Sequence, residues 1–284
     1  MSRRKFPVSD RPWLVAALVV FGGLVLMAPR PGQAEVVRIG GTGSGLATMT
    51  ALATSYQSQN PAFQFEVVPN LGSSGGIKAI VSRKIAIALS NRAPKPSELI
   101  PGLHSFEYAK TPFVFVTNKA GVKNIQLNEI AAIYSGRQLQ WQDGSPIRLV
   151  LRDLGDSDNS VIAAMSPDLK EALVTAHQRK GLRVALSDQE SADALEELPG
   201  SFGASTKAVV SSEKRRLTPL SVNGVEPTLA NLKTGRYPYF KEMHLIHFGD
   251  SASDDVKKFL NFIRSSRGQD LLRQLGNEPV SAGR

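Results

Sequence analysis

The sequence predicts an α/β fold built on a largely parallel sheet. Apolar strand-like runs alternate with segments of helical spacing along most of the chain. Loops of small, hydroxyl-bearing residues separate several of those strands from the helices that follow. With 284 residues, 42% of them hydrophobic, the chain can bury one large core or two modest ones.

Val36 to Ile39 reads as a strand running into Gly40-Gly41-Thr42-Gly43-Ser44-Gly45. Leu46 to Ser58 then has helix spacing, with Leu46, Met49, Leu52, Ala53 and Tyr56 on one face, and Asn60-Pro61 stops it. Phe63 to Val68 alternates as a strand. Gly72-Ser73-Ser74-Gly75-Gly76 follows as a loop, and a helix starts near Ile77, Ile80 and Val81. Ile85 to Leu89 is a short buried strand, and Pro112 to Thr117 is another. Leu127 to Tyr134 is a short helix. Ile147 to Leu151 is a strand that ends in a polar run from Arg152 to Asn159, with helix resuming at Val161. An acidic helix spans Glu190 to Glu197, followed by a tight element at Gly200-Ser201-Phe202-Gly203. Met243 to Phe248 is a late strand. Ser253 to Ser265 is an amphipathic helix striped with Val256, Phe259, Leu260 and Ile263, and Gly268 to Leu275 is the last helix.

The N-terminal 34 residues read as a targeting segment. Arg3, Arg4, Lys5 and Arg11 form a basic region ahead of the apolar run Trp13 to Met27, and Gly32-Gln33-Ala34 supplies small residues for cleavage after Ala34. An uncleaved anchor is the alternative, and Ser2-Arg3-Arg4-Lys5-Phe6 leaves the general secretory and twin-arginine routes both open. The segment carries five basic residues and one acidic residue. Its removal lowers the formal charge from +9 to +5. That mild excess favours anions. Apart from Lys214-Arg215-Arg216, read as a solvated loop, the basic residues are dispersed and no nucleic-acid motif accompanies them, so no nucleic-acid partner is expected. The absence of cysteine excludes disulfides, thiolate metal sites, a cysteine nucleophile and a lipoprotein anchor.

Three segments share one chemistry: Thr42-Gly43-Ser44, Ser73-Ser74-Gly75-Gly76, and Arg152 to Ser157. Each follows a strand and precedes a helix. Helix N-termini present unpaired N–H groups and partial positive charge, glycine permits close approach, and hydroxyls add donors. Such loops hold an oxyanion without a metal or cofactor. One alone is more often a structural cap; three in one α/β chain point to a ligand site at the strand ends.

In order and spacing, several motifs resemble the phosphate-binding proteins of bacterial ABC importers in their short form, which are type II periplasmic binding proteins. They are Gly41-Thr42-Gly43-Ser44, Gly72 to Ile77, Ile87-Ala88-Leu89-Ser90-Asn91-Arg92, Phe113 to Asn118, Ile133-Tyr134-Ser135-Gly136 with Trp141, and Arg152 with Gly155. Leu220 to Val225 and Gly235-Arg236-Tyr237-Pro238 complete the match. The resemblance implies two lobes, each a mostly parallel sheet flanked by helices, joined by two crossover strands. Residues 35–110 with 240–284 would form lobe I and 111–239 lobe II, with crossovers near Glu107–Phe113 and Tyr237–Leu245. It implies inorganic phosphate, or a similar oxyanion, bound in the cleft by Thr42, Gly43, Ser44, Ser73, Ser74, Asn91, Arg152, Asp156 and Ser157. It also implies closure around the ligand and docking to an ABC permease. Arg152 would be the one full positive charge of the site. Asp156 and Asp158 stand where the family carries Ser and Thr donors, Ala86 where it carries Asp, and Asn91 where it carries Ser or Asp. Three readings stay open: these carboxylates accept the ligand's proton, the specificity has moved to another oxyanion, or the site is degenerate.

Other classes find less support. Gly43-Ser44-Gly45 lacks the full nucleophile elbow of a serine hydrolase, and His104, His177, His244 and His247 have no motif context, so no enzyme is expected. Asp153, Asp156 and Asp158 begin like a calcium loop but lack its glycine and final glutamate. The carboxylates of Glu190 to Glu197 read as a solvated helix face. An exported adhesive protein on the same fold remains an alternative.

Overall fold

A computed structural model describes residues 36–69, 71–249 and 251–280; the expected targeting segment and its cleavage site lie outside them. From the N-terminus, β1 (Val36–Gly41), α1 (Gly43–Gln57), β2 (Gln64–Val68), α2 (Gly72–Val81) and β3 (Ile87–Ser90) lead into the long strand β4 (Leu103–Thr117). Then come β5 (Asn124–Ile125), α3 (Leu127–Ser135), β6 (Arg148–Arg152), α4 (Ser157–Met165), α5 (Pro167–Gln178), β7 (Arg183–Ala185) and α6 (Asp188–Glu197). The chain continues through β8 (Ser201–Thr206), α7 (Lys207–Ser212), β9 (Thr218–Pro219), β10 (Ser221–Val222) and α8 (Leu229–Lys233). It closes with β11 (Phe240–Phe248), α9 (Asp254–Arg264), α10 (Ser266–Gln274) and β12 (Glu278–Pro279).

Strand order is β2-β1-β3-β11-β4-β8-β6-β7. The outer strands pair in parallel: β1 with β2 and β3, and β6 with β7 and β8. Every pairing made by β4 or β11 within that order is antiparallel. The sheet is therefore parallel at both ends and antiparallel through its middle. The first half of β4 pairs with β11 and its second half with β8, so one strand carries the chain from one lobe to the other, and β11 brings it back.

Each lobe has its own core. Ile39, Met49, Leu52, Phe63, Leu245 and Phe259 fill one, where α1 and α9 cover the sheet. Phe113, Phe115, Tyr134, Trp141, Phe202 and Tyr237 fill the other. Phe115 stacks on Phe202 at 5.5 Å between ring centroids, and Trp141 donates to the Gly200 carbonyl at 3.0 Å. The packing role expected of Trp141 is therefore seen.

Four elements depart from the sequence reading. α2 starts at Gly72, so Ser73 and Ser74 sit in its first turn and not in a loop. α4 starts at Ser157, because the Asp156 side chain caps it by accepting from the Asp158 N–H at 2.8 Å. β4 begins at Leu103, nine residues before the expected strand, and its early part mixes exposed and buried residues, which hides the alternation. The tight element at Gly200–Gly203 is the start of a fully buried strand, β8.

The seating of α2 positions one wall of the site. A Cβ on Gly76 would come within 2.7 Å of the Gly41 Cα, and Gly41 itself lies at φ +142°, a conformation that favours glycine. α2 therefore packs backbone to backbone against the end of β1. Gly76→Val should push the helix outward and cost about 1–3 kcal/mol by overpacking. Urea denaturation of the purified variant measures this; an unchanged midpoint would refute the close approach.

Candidate functional site

A cleft of about 540 Å³ opens where the N-termini of α1, α2, α4 and α6 meet. Thr42, Gly43, Ser73, Ser74, Arg152, Asp156 and Ser157 all line it, so segments far apart in sequence share one wall. Ser44 and Asn91 stand behind that wall. The Ser44 and Thr42 hydroxyls donate to the Asn91 side-chain oxygen at 2.8 and 2.5 Å, and the Asn91 backbone N–H donates to Ser73 Oγ at 3.0 Å. Asn91 thus ties the first two loops together. It also leaves the Ser73 hydroxyl proton free to point elsewhere, because that oxygen is already an acceptor.

Arg152 ends β6 and is buried, its side chain 4% exposed. Its guanidinium meets three carboxylates: Asp156 at 2.5 Å, Asp188 at 3.1 Å and Asp158 at 3.5 Å. Lys241 on β11 reaches into the same cluster, ion-pairing with Asp158 and donating to Ser157 Oγ at 3.0 Å. Burial opposes charge on both cations, yet the surrounding carboxylates hold both pKa values above their ordinary range. Burial likewise works against the Asp158 carboxylate, and Lys241 with Arg152 overcomes it, so its pKa falls. Asp156 goes the other way. Burial, followed by repulsion from Asp158, pushes it up to about 6 despite Lys241 and Arg152. Three carboxylates against two cations leave one negative charge in surplus, and Asp156 is where a proton relieves it.

Arg152 is therefore not the only full charge of the site, as sequence alone suggested. Lys241 lies beneath it, and Arg92 and Lys95 line the lobe I wall. Arg92 forms a bidentate pair with Glu98 and also donates to Ser74 Oγ at 3.1 Å. Lys241 was missed because 84 residues separate it from Ser157; no local spacing signals that contact. The solvated reading of Lys214-Arg215-Arg216 also needs correction. Arg215 is 14% exposed and bonds Asp193, Glu196 and Glu213, while Glu190 holds Arg183, so part of the acidic helix face is ion-paired.

The alternative chemistries find no geometry here. None of the four histidines partners Ser44 or Ser73: His177 lies by Asn159, His244 by Glu242, and His104 stacks on His247. Among the described residues no group of three or more His, Asp or Glu is placed to hold a metal, because Asp156 and Asp158 turn onto Arg152 and Lys241.

Two measurements test this cluster. Lys241→Met leaves Asp158 buried without its closest cation and should cost about 3–5 kcal/mol in urea denaturation. Adding Asp158→Asn should recover at least half of that loss; no recovery would refute the pair. For Asp156, the folded-state pKa lies above the unfolded value of 3.8. The folded protein therefore binds this proton more tightly, and that stabilisation is complete below pH about 4 and lost as the pH rises through about 6. Asp156→Asn keeps the helix cap and removes the surplus charge. Its melting temperature relative to wild type should climb between pH 4 and 7, and a difference that stays flat in calorimetry would contradict the assignment.

Comparison with known proteins places this geometry in a family. A family model described as a PBP superfamily domain matches residues 28–267. The phosphate-binding protein PstS of Bacillus subtilis is 25% identical over 255 residues, covering 86% of this chain and 80% of that protein. PstS of Borreliella burgdorferi is 24% identical over 212 residues, covering 72% and 76%. A substrate-binding protein of Clostridium perfringens, solved with bound phosphate, superposes with a TM-score of 0.72 at 22% identity, covering 87% of this chain and all of that one. The crossover strands, the lobe cores and the cleft are those of a two-lobed periplasmic-binding-protein fold, and the chain belongs to the PBP superfamily.

Proposed function

We propose that this protein is an exported, non-enzymatic solute-binding protein that captures inorganic phosphate in the cleft for an ABC importer. One observation carries the reading. The N-termini of α1, α2 and α4 face a single polar cleft that also holds Arg152 and the hydroxyls of Thr42, Ser73, Ser74 and Ser157. These groups are donors, and they come from both sides of the crossover strands. A tetrahedral oxyanion offers acceptors in every direction, so it can engage α2 and Ser73 on one side and α4 and Arg152 on the other. Either half alone makes too few contacts. Binding therefore favours the arrangement in which both lobes grip the ligand, and that closed form is the one a permease would recognise. The names of the two PstS relatives support phosphate over other oxyanions.

Residues 1–34 would direct export, with cleavage after Ala34. Among the described residues no helix is long and apolar enough to cross a membrane.

Titration calorimetry of the mature chain against phosphate, sulfate and molybdate tests the reading. Phosphate should bind one to one and more tightly than either competitor. Ser73→Ala removes a hydroxyl from the α2 wall and should weaken phosphate about ten-fold or more, the value of one hydrogen bond to a charged group. Tighter binding of another oxyanion, or no heat with any, would refute phosphate as the ligand.

A further inference from the structure

Asp188 occupies an unusual place in this cleft. It is the first residue of α6 but not its cap, because Ser187 caps the helix by accepting from the Glu190 N–H at 3.1 Å. Among the described residues the one hydrogen bond of its carboxylate is with Arg152, where Oδ1 sits 3.1 Å from Nη1. The other oxygen faces the opposite lobe. A Cβ built on Gly43, the first residue of α1, would fall 2.6 Å from Asp188 Oδ2. The neighbouring Gln189 donates to the Gly43 carbonyl at 3.1 Å and so fixes this approach. The carboxylate therefore stands between the guanidinium of lobe II and the positive end of a lobe I helix. An oxyanion held by both lobes would need that same position.

The three carboxylates around Arg152 are not equivalent. Asp158 is committed to the buried Lys241, and Asp156 caps α4. Removing either would leave a buried cation or a helix end unsatisfied. Asp188 alone can swing away without breaking a second bond. Arg152 also keeps its Nε buried without a partner, so its donors are not exhausted by the carboxylates it meets.

We propose that Asp188 is a resident counter-anion and a specificity-determining residue. It occupies the oxyanion position between Arg152 and α1 in the empty cleft, and the ligand must take its place. The inference rests on the phosphate reading given above. Its consequence is a threshold. An anion is retained only when its bonds to Arg152 and the two lobes outweigh those of Asp188, so weakly accepting anions are refused even though the site is rich in donors.

Calorimetric titration of inorganic phosphate into wild type and Asp188→Asn tests this, with Asp188→Ser as a second variant and thermal melts confirming that each is folded. Both substitutions should tighten phosphate ten-fold or more. A crystal structure of the wild type with phosphate should show Asp188 withdrawn from Arg152 and phosphate oxygens on the guanidinium. Wild-type binding of phosphate with unchanged or weaker affinity in both variants would overturn the counter-anion role while leaving the phosphate reading intact. So would an Asp188 still bonded to Arg152 beside bound phosphate. Failure of phosphate to bind any of the three proteins would overturn the reading and the inference together.

Discussion

The buried ion cluster around Arg152 is the constraint on which the site depends. Placing a guanidinium and an ammonium out of water is expensive, and only close carboxylates make it tolerable. Arg152 arrives on β6, Asp156 and Asp158 open α4, Asp188 opens α6, and Lys241 comes from the crossover strand β11. Four elements must therefore be in register for the charges to be met. That requirement couples the cleft to the crossover. A movement of β11 shifts Lys241, Lys241 holds Asp158, and Asp158 lies against Arg152. Rotation of one lobe against the other cannot leave the charged floor of the cleft unchanged.

The helix ends complete the electrostatics. The cluster alone carries surplus negative charge, a poor surface for an anion. The N-termini of α1, α2 and α4 face it with partial positive charge, and Arg92 and Lys95 add full charge on the lobe I side. The cleft is thus polarised: donors and cations on one wall, a crowded set of carboxylates with two embedded cations on the other. Sequence alone raised Asp156 and Asp158 as repulsive substitutions for Ser and Thr. Asp158 is instead the partner of Lys241, and Asp156 both caps a helix and absorbs the excess charge as a pKa near 6.

How much of this was legible in the chain follows from the range of each interaction. Period-2 and period-3.6 apolar patterns are local, and they located β1, α1, β2, β6, α9 and α10 to within a few residues. Glycine and serine clusters marked where backbone approaches backbone, and Thr42, Gly43, Ser73, Ser74, Arg152, Asp156 and Ser157 do meet. Two kinds of feature escaped. Long strands whose faces are unevenly buried, such as β4, lack a clean alternation. Charge pairs that join distant segments leave no spacing at all, so Lys241 and Asp188 went unnoticed, and Arg215 passed for a solvated residue.

The same distinction explains why the architecture was easier to read than the specificity. A lobe core needs apolar residues of about the right size on the correct face, a condition many sequences meet and patterning reveals. Ligand choice depends on which of several carboxylates retains its proton, and on which can leave a guanidinium. Those properties are set by burial and by partners that only the folded chain assembles. Asp156 and Asp188 are the same residue type, both within hydrogen-bond reach of Arg152. One is anchored by the helix it caps and the other is not, and that difference in tethering gives two identical side chains different roles in one cleft.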